Sequence, residues 1–181
     1  GPVPVGTVVS AEAAFTDAGV LDLHTGQWDW GDGLPVAGTV VEAGGSGTIS
    51  GAHRYTAAGV YSVTVSVRDQ DGGEDTSVYR YVVVYDPEGG FVTGGGWIWS
   101  PPGACLYGAC DQNSSGRASF GFVSKYQKGA TVPTGQTEFQ FRAGDLRFHS
   151  SSYQWLVIAG AKSMYKGEGE INGTGPYAFL I

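Results

Sequence analysis

Six residues, Trp28-Asp29-Trp30-Gly31-Asp32-Gly33, constrain the fold of this chain more than any others. They read as an extended segment that ends in a tight Gly-Asp-Gly turn. The two-residue period of a strand puts Trp28 and Trp30 on one face and Asp29 on the other. His53-Arg54-Tyr55 follows, and then Gly59 to Asp69, in which Tyr61, Val63, Val65 and Val67 alternate with Ser62, Thr64, Ser66 and Arg68. That alternation is a half-buried strand with one aliphatic face. Val8–Phe15 and Pro35–Glu42 read as further strands, and Gly44-Gly45-Ser46-Gly47 as a hairpin turn. Val78–Tyr85 is apolar on both faces, which predicts a strand that is central in its sheet or covered.

The rest of the composition agrees with strands and turns. There are 31 glycines in 181 residues, 13% of the chain is aromatic, and no stretch sustains a 3.6-residue period. A hydrophobic fraction of 41% is enough for packed cores. No apolar run is long enough to span a bilayer as a helix. Charge is uneven. Residues 1–86 carry 11 acidic and 3 basic side chains, a net of −8, whereas residues 87–181 carry 6 and 7, a net of +1. An acidic first half disfavours nucleic acid as a partner, because phosphates repel it. The charge step falls at Asp86-Pro87-Glu88-Gly89-Gly90, a Pro/Gly boundary signal. Two domains are therefore expected, 1–86 and 87–181.

The ordered series from the tryptophan motif through His53-Arg54-Tyr55 to Gly59-Val60-Tyr61-Ser62-Val63 resembles the signature of PKD domains, immunoglobulin-like β-sandwich modules of extracellular proteins. The resemblance covers residues 3–85. In the second half, Gly90-Phe91-Val92-Thr93-Gly94-Gly95-Gly96-Trp97-Ile98 and Gly121-Phe122-Val123-Ser124-Lys125-Tyr126 resemble a β-domain that follows PKD repeats in large bacterial surface and secreted proteins. Trp99 and the segment Cys105–Cys110 depart from that second pattern. The implied fold is all-β: a PKD-type sandwich followed by a second antiparallel β-sandwich. In the second domain the strand candidates are 96–100, 118–124, 137–142, 146–149, 154–159, 163–165, 168–171 and 177–181.

Five sets of residues are candidates for function. Asp69, Asp71, Glu74 and Asp75 crowd one turn, and hard Ca²⁺ favours such oxygens; a solvated hairpin tip is the alternative. Asp17, Asp22 and Asp29 are a second possible acidic cluster at the sandwich end. Asp29 and Asp32 flank a tight turn, where Asp carboxylates accept backbone N–H bonds, so a structural role outweighs an acid–base one. Cys105 and Cys110, the only cysteines, favour a local disulfide that stiffens a loop presenting Tyr107; free thiols or intermolecular bridges are the alternatives. Trp97 and Trp99 share one strand face. They form either a stacking platform for sugars or a protein partner, extended by Tyr126, Tyr153 and Trp155, or part of a core. His24, His53 and His149 are too scattered for zinc, and no Gly-x-Ser-x-Gly nucleophile motif occurs.

The expected function is a non-catalytic extracellular or cell-surface module, structural or adhesive, that self-assembles or contacts other extracellular proteins. Calcium is its one expected cofactor, and membrane insertion is not expected. Terminal segments Val3–Val9 and Tyr177–Ile181, with Trp99, are candidates for strand addition to a neighbouring copy's sheet edge. The competing expectation is a carbohydrate-binding accessory domain of a secreted hydrolase.

Overall fold

A computed structural model describes residues 1–105 and 110–181, so Tyr107 lies outside the described residues. The chain divides into two compact units, Gly1–Val84 and Tyr85–Ile181. Both are built from antiparallel sheet, and one short 3-10 turn, Arg142–Gly144, is the only helical element among the described residues.

The first unit has two sheets. β1 (Val3–Pro4), β3 (His24–Asp29), β4 (Val36–Ala37), β7 (Gly59–Asp69) and β8 (Glu74–Tyr85) form one in the order β1-β8-β7-β3-β4; β2 (Val8–Thr16), β5 (Thr39–Ala43) and β6 (Ser46–Arg54) form the other in the order β2-β6-β5. Trp28, Trp30, Ile49, Tyr55, Val63, Val65 and Val84 make the buried core. The strand expected over Pro35–Glu42 is two strands in different sheets. The chain changes sheet at Gly38, whose N–H donates to the carbonyl of Gly26 at 2.9 Å. Gly51 lets the Trp28 indole lie against the backbone of β6, since a Cβ there would sit about 2.6 Å from the ring.

Two expectations fail in this unit. Val78, Tyr79 and Tyr81 of β8 are largely exposed, because the two-residue β1 flanks so little of that strand. Tyr81 is the extra residue of a bulge, opposite the step from Tyr61 to Ser62, and has φ of 73°. Beyond it, Val83 and Val84 are buried, Val84 in the core of this unit. The segment Val3–Val9 is not free to add to a neighbour's sheet either: Val3, Val5 and Val9 pack on the core, and β2 pairs with β6 from Val8 onward.

The second unit is one six-stranded antiparallel sheet in the order β14-β13-β12-β11-β10-β9. Its strands are β9 (Phe91–Ser100), β10 (Gly116–Lys125), β11 (Thr134–Phe141), β12 (Leu146–Ala159), β13 (Lys162–Ile171) and β14 (Thr174–Leu180). Strand pairs expected over 146–149 and 154–159, and over 163–165 and 168–171, are each one long strand. The break between the first pair is two register shifts, at Ser150/Ser152 and Tyr153/Trp155. These bulges bend the sheet onto itself. Phe122 on β10 and Tyr165 on β13 are three strand spacings apart, ~14 Å in a flat sheet, yet their ring centroids are 5.8 Å apart. Val92 from one edge strand and Phe179 from the other both pack against the cluster of Tyr153, Leu156 and Tyr165. The sandwich-like core of this unit is therefore a single sheet closed over its concave face.

Glycine makes that closure possible. The Phe148 ring occupies the space a Cβ at Gly169 would need, and the Phe179 ring does the same at Gly167. Tyr126 secures the bend from outside the ladder: its hydroxyl accepts from Leu156 N–H at 3.1 Å and donates to Leu156 C=O at 3.2 Å. β11 pairs with β12 only over Leu146–His149, so the phenol supplies the partner that Leu156 lacks on that side.

Candidate functional site

The strongest candidate surface is the outer face of the second unit. Cross-strand register places Trp97 beside Ser119, Ser119 beside Gln140, and Gln140 beside Arg147. The parallel row runs Gly95, Gly121, Glu138, His149. Trp99 pairs with Arg117. Trp97 and Trp99 are 57% and 64% exposed, so both stand out from the sheet and neither is core. The Arg117 guanidinium sits over the Trp97 ring, 5.0 Å from its centroid. Their carrier, β9, is a terminal strand of the sheet and leaves one backbone edge unpaired within it, as β14 does at the other end.

A shallow depression of about 430 Å³ lies in this face, lined by Ser119, Gly121, Glu138, Gln140, Arg147 and His149. His149 Nδ1 lies 3.6 Å from a Glu138 carboxylate oxygen. The expected extension of the aromatic patch does not occur: Tyr153 and Trp155 are buried, and Tyr126 is engaged with Leu156. On the opposite, concave face, Phe120, Phe139, Phe148 and Phe179 border an apolar cavity of about 310 Å³.

A second candidate lies in the first unit, where the two acidic clusters of the sequence meet in part. Carboxylate oxygens of Asp17, Asp22 and Asp69 all lie within 4.8 Å of one another. Asp69 ends β7, and its Oδ1 accepts from Gly73 N–H at 2.8 Å. The remaining carboxylates of that turn are otherwise engaged: Glu74 pairs with Arg68 at 3.2 Å, and Asp75 accepts from Thr76 N–H at 2.8 Å. Asp71 is near enough to act on Asp22 through its charge. Asp29 is elsewhere, accepting from Gly31 N–H at 2.9 Å in the turn after β3, while Asp32 lies 2.9 Å from His53 Nε2.

The acidic corner is electrostatically strained. Burial, and then the charges of Asp71, Asp17 and Asp69, raise the Asp22 carboxyl above its ordinary value, against an opposing pull from His24. His24 closes the inner side. Its side chain is only 6% exposed, with Nδ1 2.7 Å from Glu42 Oε2 and Nε2 3.2 Å from Asp17 Oδ2. Glu42 Oε1 also accepts from the His24 backbone N–H at 3.0 Å. Asp17 Oδ2 is shielded from solvent and lacks a well-formed hydrogen bond. Such a trio of oxygens on a strand end and a turn is chemically suited to a hard divalent cation. Sequence spacing did not reveal the role of His24, since Glu42 is 18 residues away and the two meet only when β3 and β5 pack.

Cys105 and Cys110 are joined in a disulfide across the segment that contains Tyr107. No helix among the described residues is long and apolar enough to cross a membrane.

Residues 2–84 match the family model of the PKD domain. The match ends at the boundary between the two units. PKD domains are non-catalytic modules found in extracellular proteins, where they serve structural and adhesive roles and mediate protein–protein interactions. No curated protein matches this chain.

Proposed function

We propose that this chain, whose first unit is a PKD domain, is a non-catalytic structural and adhesive module of an extracellular protein and makes its contacts through the outer face and edge of β9. One observation carries the reading: two tryptophans, each more than half exposed, stand side by side on a terminal strand. Exposed indoles leave large apolar area in water, and clustered aromatics of this kind mark surfaces that partners cover. The unpaired edges of β9 and β14 add a second mode of contact, strand addition by a neighbouring copy. The Cys105–Cys110 disulfide suits an oxidising compartment. Calcium at Asp17, Asp22 and Asp69 would neutralise the acidic corner and stiffen the end of the first sandwich.

Light scattering and negative-stain microscopy over a concentration series test this reading. The wild-type chain forms larger species as concentration rises, and Trp99→Ala forms fewer. A strictly monomeric wild type at high concentration would remove self-assembly, and parallel samples in EDTA report the cation. A second reading, a carbohydrate-binding accessory module, is favoured by the polar groups that pair with the tryptophans, Ser119 and Arg117. Pull-down on insoluble polysaccharides checks it.

A further inference from the structure

We propose that the outer face of the second unit binds an acidic polysaccharide, with a sugar ring seated in a glycine-floored trough beside Trp97 and its carboxylate met by Arg147. The proposal rests on the tryptophan face being a contact surface, and it names the ligand.

The trough follows from register. Gly95 and Gly121 are directly opposed on β9 and β10, on the same face as Trp97 and Ser119 one row away. Two adjacent strands therefore carry no side chain at that level, which leaves bare backbone for a width of ~10 Å. The space above it is open: a Cβ built at Gly121 comes no closer than 4.0 Å to any other atom, the carbonyl oxygen of Gly94. Ser119, which pairs with Trp97, and Gln140 form one side, and Glu138, Arg147 and His149 close the far end. The depression of about 430 Å³ falls within the usual range for a small-ligand site.

The lining selects the chemistry. An indole face beside backbone and short polar side chains suits a pyranose, which presents C–H groups to the ring and hydroxyls to Ser119, Gln140 and Glu138. Three guanidiniums, Arg117, Arg142 and Arg147, border this face, and none forms an ion pair with a carboxylate among the described residues. Glu138, in contrast, already faces His149. Unpaired guanidinium forks are complementary to carboxylates, so uronic acids fit better than neutral sugars. Net charge alone does not draw a polyanion to the chain, which carries −7 overall, and single-stranded DNA serves as the control for ion exchange.

Affinity electrophoresis of the intact chain in gels containing polygalacturonate, with highly methyl-esterified polygalacturonate as the neutral counterpart, tests the proposal. Wild type is retarded by the acid polymer, and the apparent affinity falls about tenfold on esterification, the loss expected from one charge-assisted contact. Gly121→Val fills the trough at an open strand position, and Arg147→Gln removes a surface charge; both lose retardation while melting as wild type does. If Gly121→Val alters the melt, Arg147→Gln and Trp97→Ala decide the matter. Equal retardation by both polymers, retardation by neither, full retardation of Arg147→Gln together with Trp97→Ala, or equal retardation by single-stranded DNA each overturns the proposal. If no polysaccharide is retained while Trp99→Ala still reduces self-association, the ligand assignment falls and the contact-surface reading stands.

Discussion

The Tyr55 hydroxyl donates to the backbone carbonyl of Trp30 at 2.9 Å, across 25 residues of sequence and inside the core. This bond ties the chain just beyond β6 to the end of β3, where the Gly-Asp-Gly turn begins. Tyr55 is 1% exposed and stacks on Tyr61 with centroids 4.3 Å apart. Burial, and then the charges of Asp32, Tyr61 and Asp29, push its phenol up to about 12, so the donor keeps its proton across the stable pH range. Tyr55→Phe keeps the ring and strands the Trp30 carbonyl. The expected loss is about 1–3 kcal/mol of first-unit stability, read from urea denaturation. An unchanged midpoint would mean that water reaches the carbonyl.

His24 gives the first unit a pH dependence. Burial alone would lower its pKa, but the hydrogen bond to Glu42 and the charges of Glu42 and Asp17 outweigh it, and the net shift is upward from 6.5. A raised histidine pKa means that the folded state holds the proton more tightly than the unfolded chain. That stability is fully present below 6.5 and is lost as pH rises through the folded value. The melting temperature of the first unit should therefore fall on going from mildly acidic to mildly alkaline buffer, and His24→Gln should flatten the profile. A profile identical in the two proteins would show that the imidazolium contributes nothing.

Asp22 has the opposite character for a carboxylate. Its pKa is raised, so the folded state prefers it protonated, and stability falls as pH climbs from 3.8 through the folded value. At neutral pH in EDTA, Asp22→Asn should therefore melt higher than wild type. Millimolar Ca²⁺ should stabilise wild type, by about 2.7 kcal/mol at a hundredfold excess over Kd, and leave Asp22→Asn unmoved. Calorimetry with and without the ion separates these outcomes; a wild type indifferent to Ca²⁺ leaves the corner a solvated acidic patch.

Local pattern and long-range register divide what the sequence reveals. The tryptophan motif and the alternation over Tyr61–Val67 are read within a few residues, and their strands form where expected. Trp28 and Trp30 share a buried face for the same reason. Register is different, because it depends on partners far along the chain. Nothing local shows that Asp69 would reach Asp17 and Asp22 while Glu74 turned to Arg68, or that Gly95 and Gly121 would fall opposite one another. The apolar run Val78–Tyr85 misleads because hydrophobicity reports a strand but not how much of it a neighbour covers. The exposure of Trp97 and Trp99 is likewise set by the direction in which the sheet curls, and the bulges of β12 that set it have no signature in the residues around Ser150 and Tyr153.

Thr137 holds the concave core of the second unit together through one hydroxyl. Its Oγ1 lies 2.8 Å from Tyr153 Oη and 3.1 Å from Tyr165 Oη, and its N–H donates to Ser150 Oγ at 2.8 Å. Tyr153 keeps a contact to Ser150 Oγ at 3.2 Å if the hydroxyl is removed, but the Tyr165 phenol has no second partner in this group. Burial raises the Tyr165 pKa, and its bond to Thr137 pulls the other way, so the phenol stays neutral and needs a hydrogen-bond partner where it sits. Thr137→Val preserves shape and volume and removes only the hydroxyl, at an expected cost of about 1–3 kcal/mol from the stranded phenol. Thr137→Ser keeps the hydroxyl and removes one methyl, at about 1 kcal/mol. Val should therefore be the more damaging substitution in denaturant titrations of the second unit. The reverse order would show that methyl packing, and not the tyrosine network, holds β11 against the bent strand.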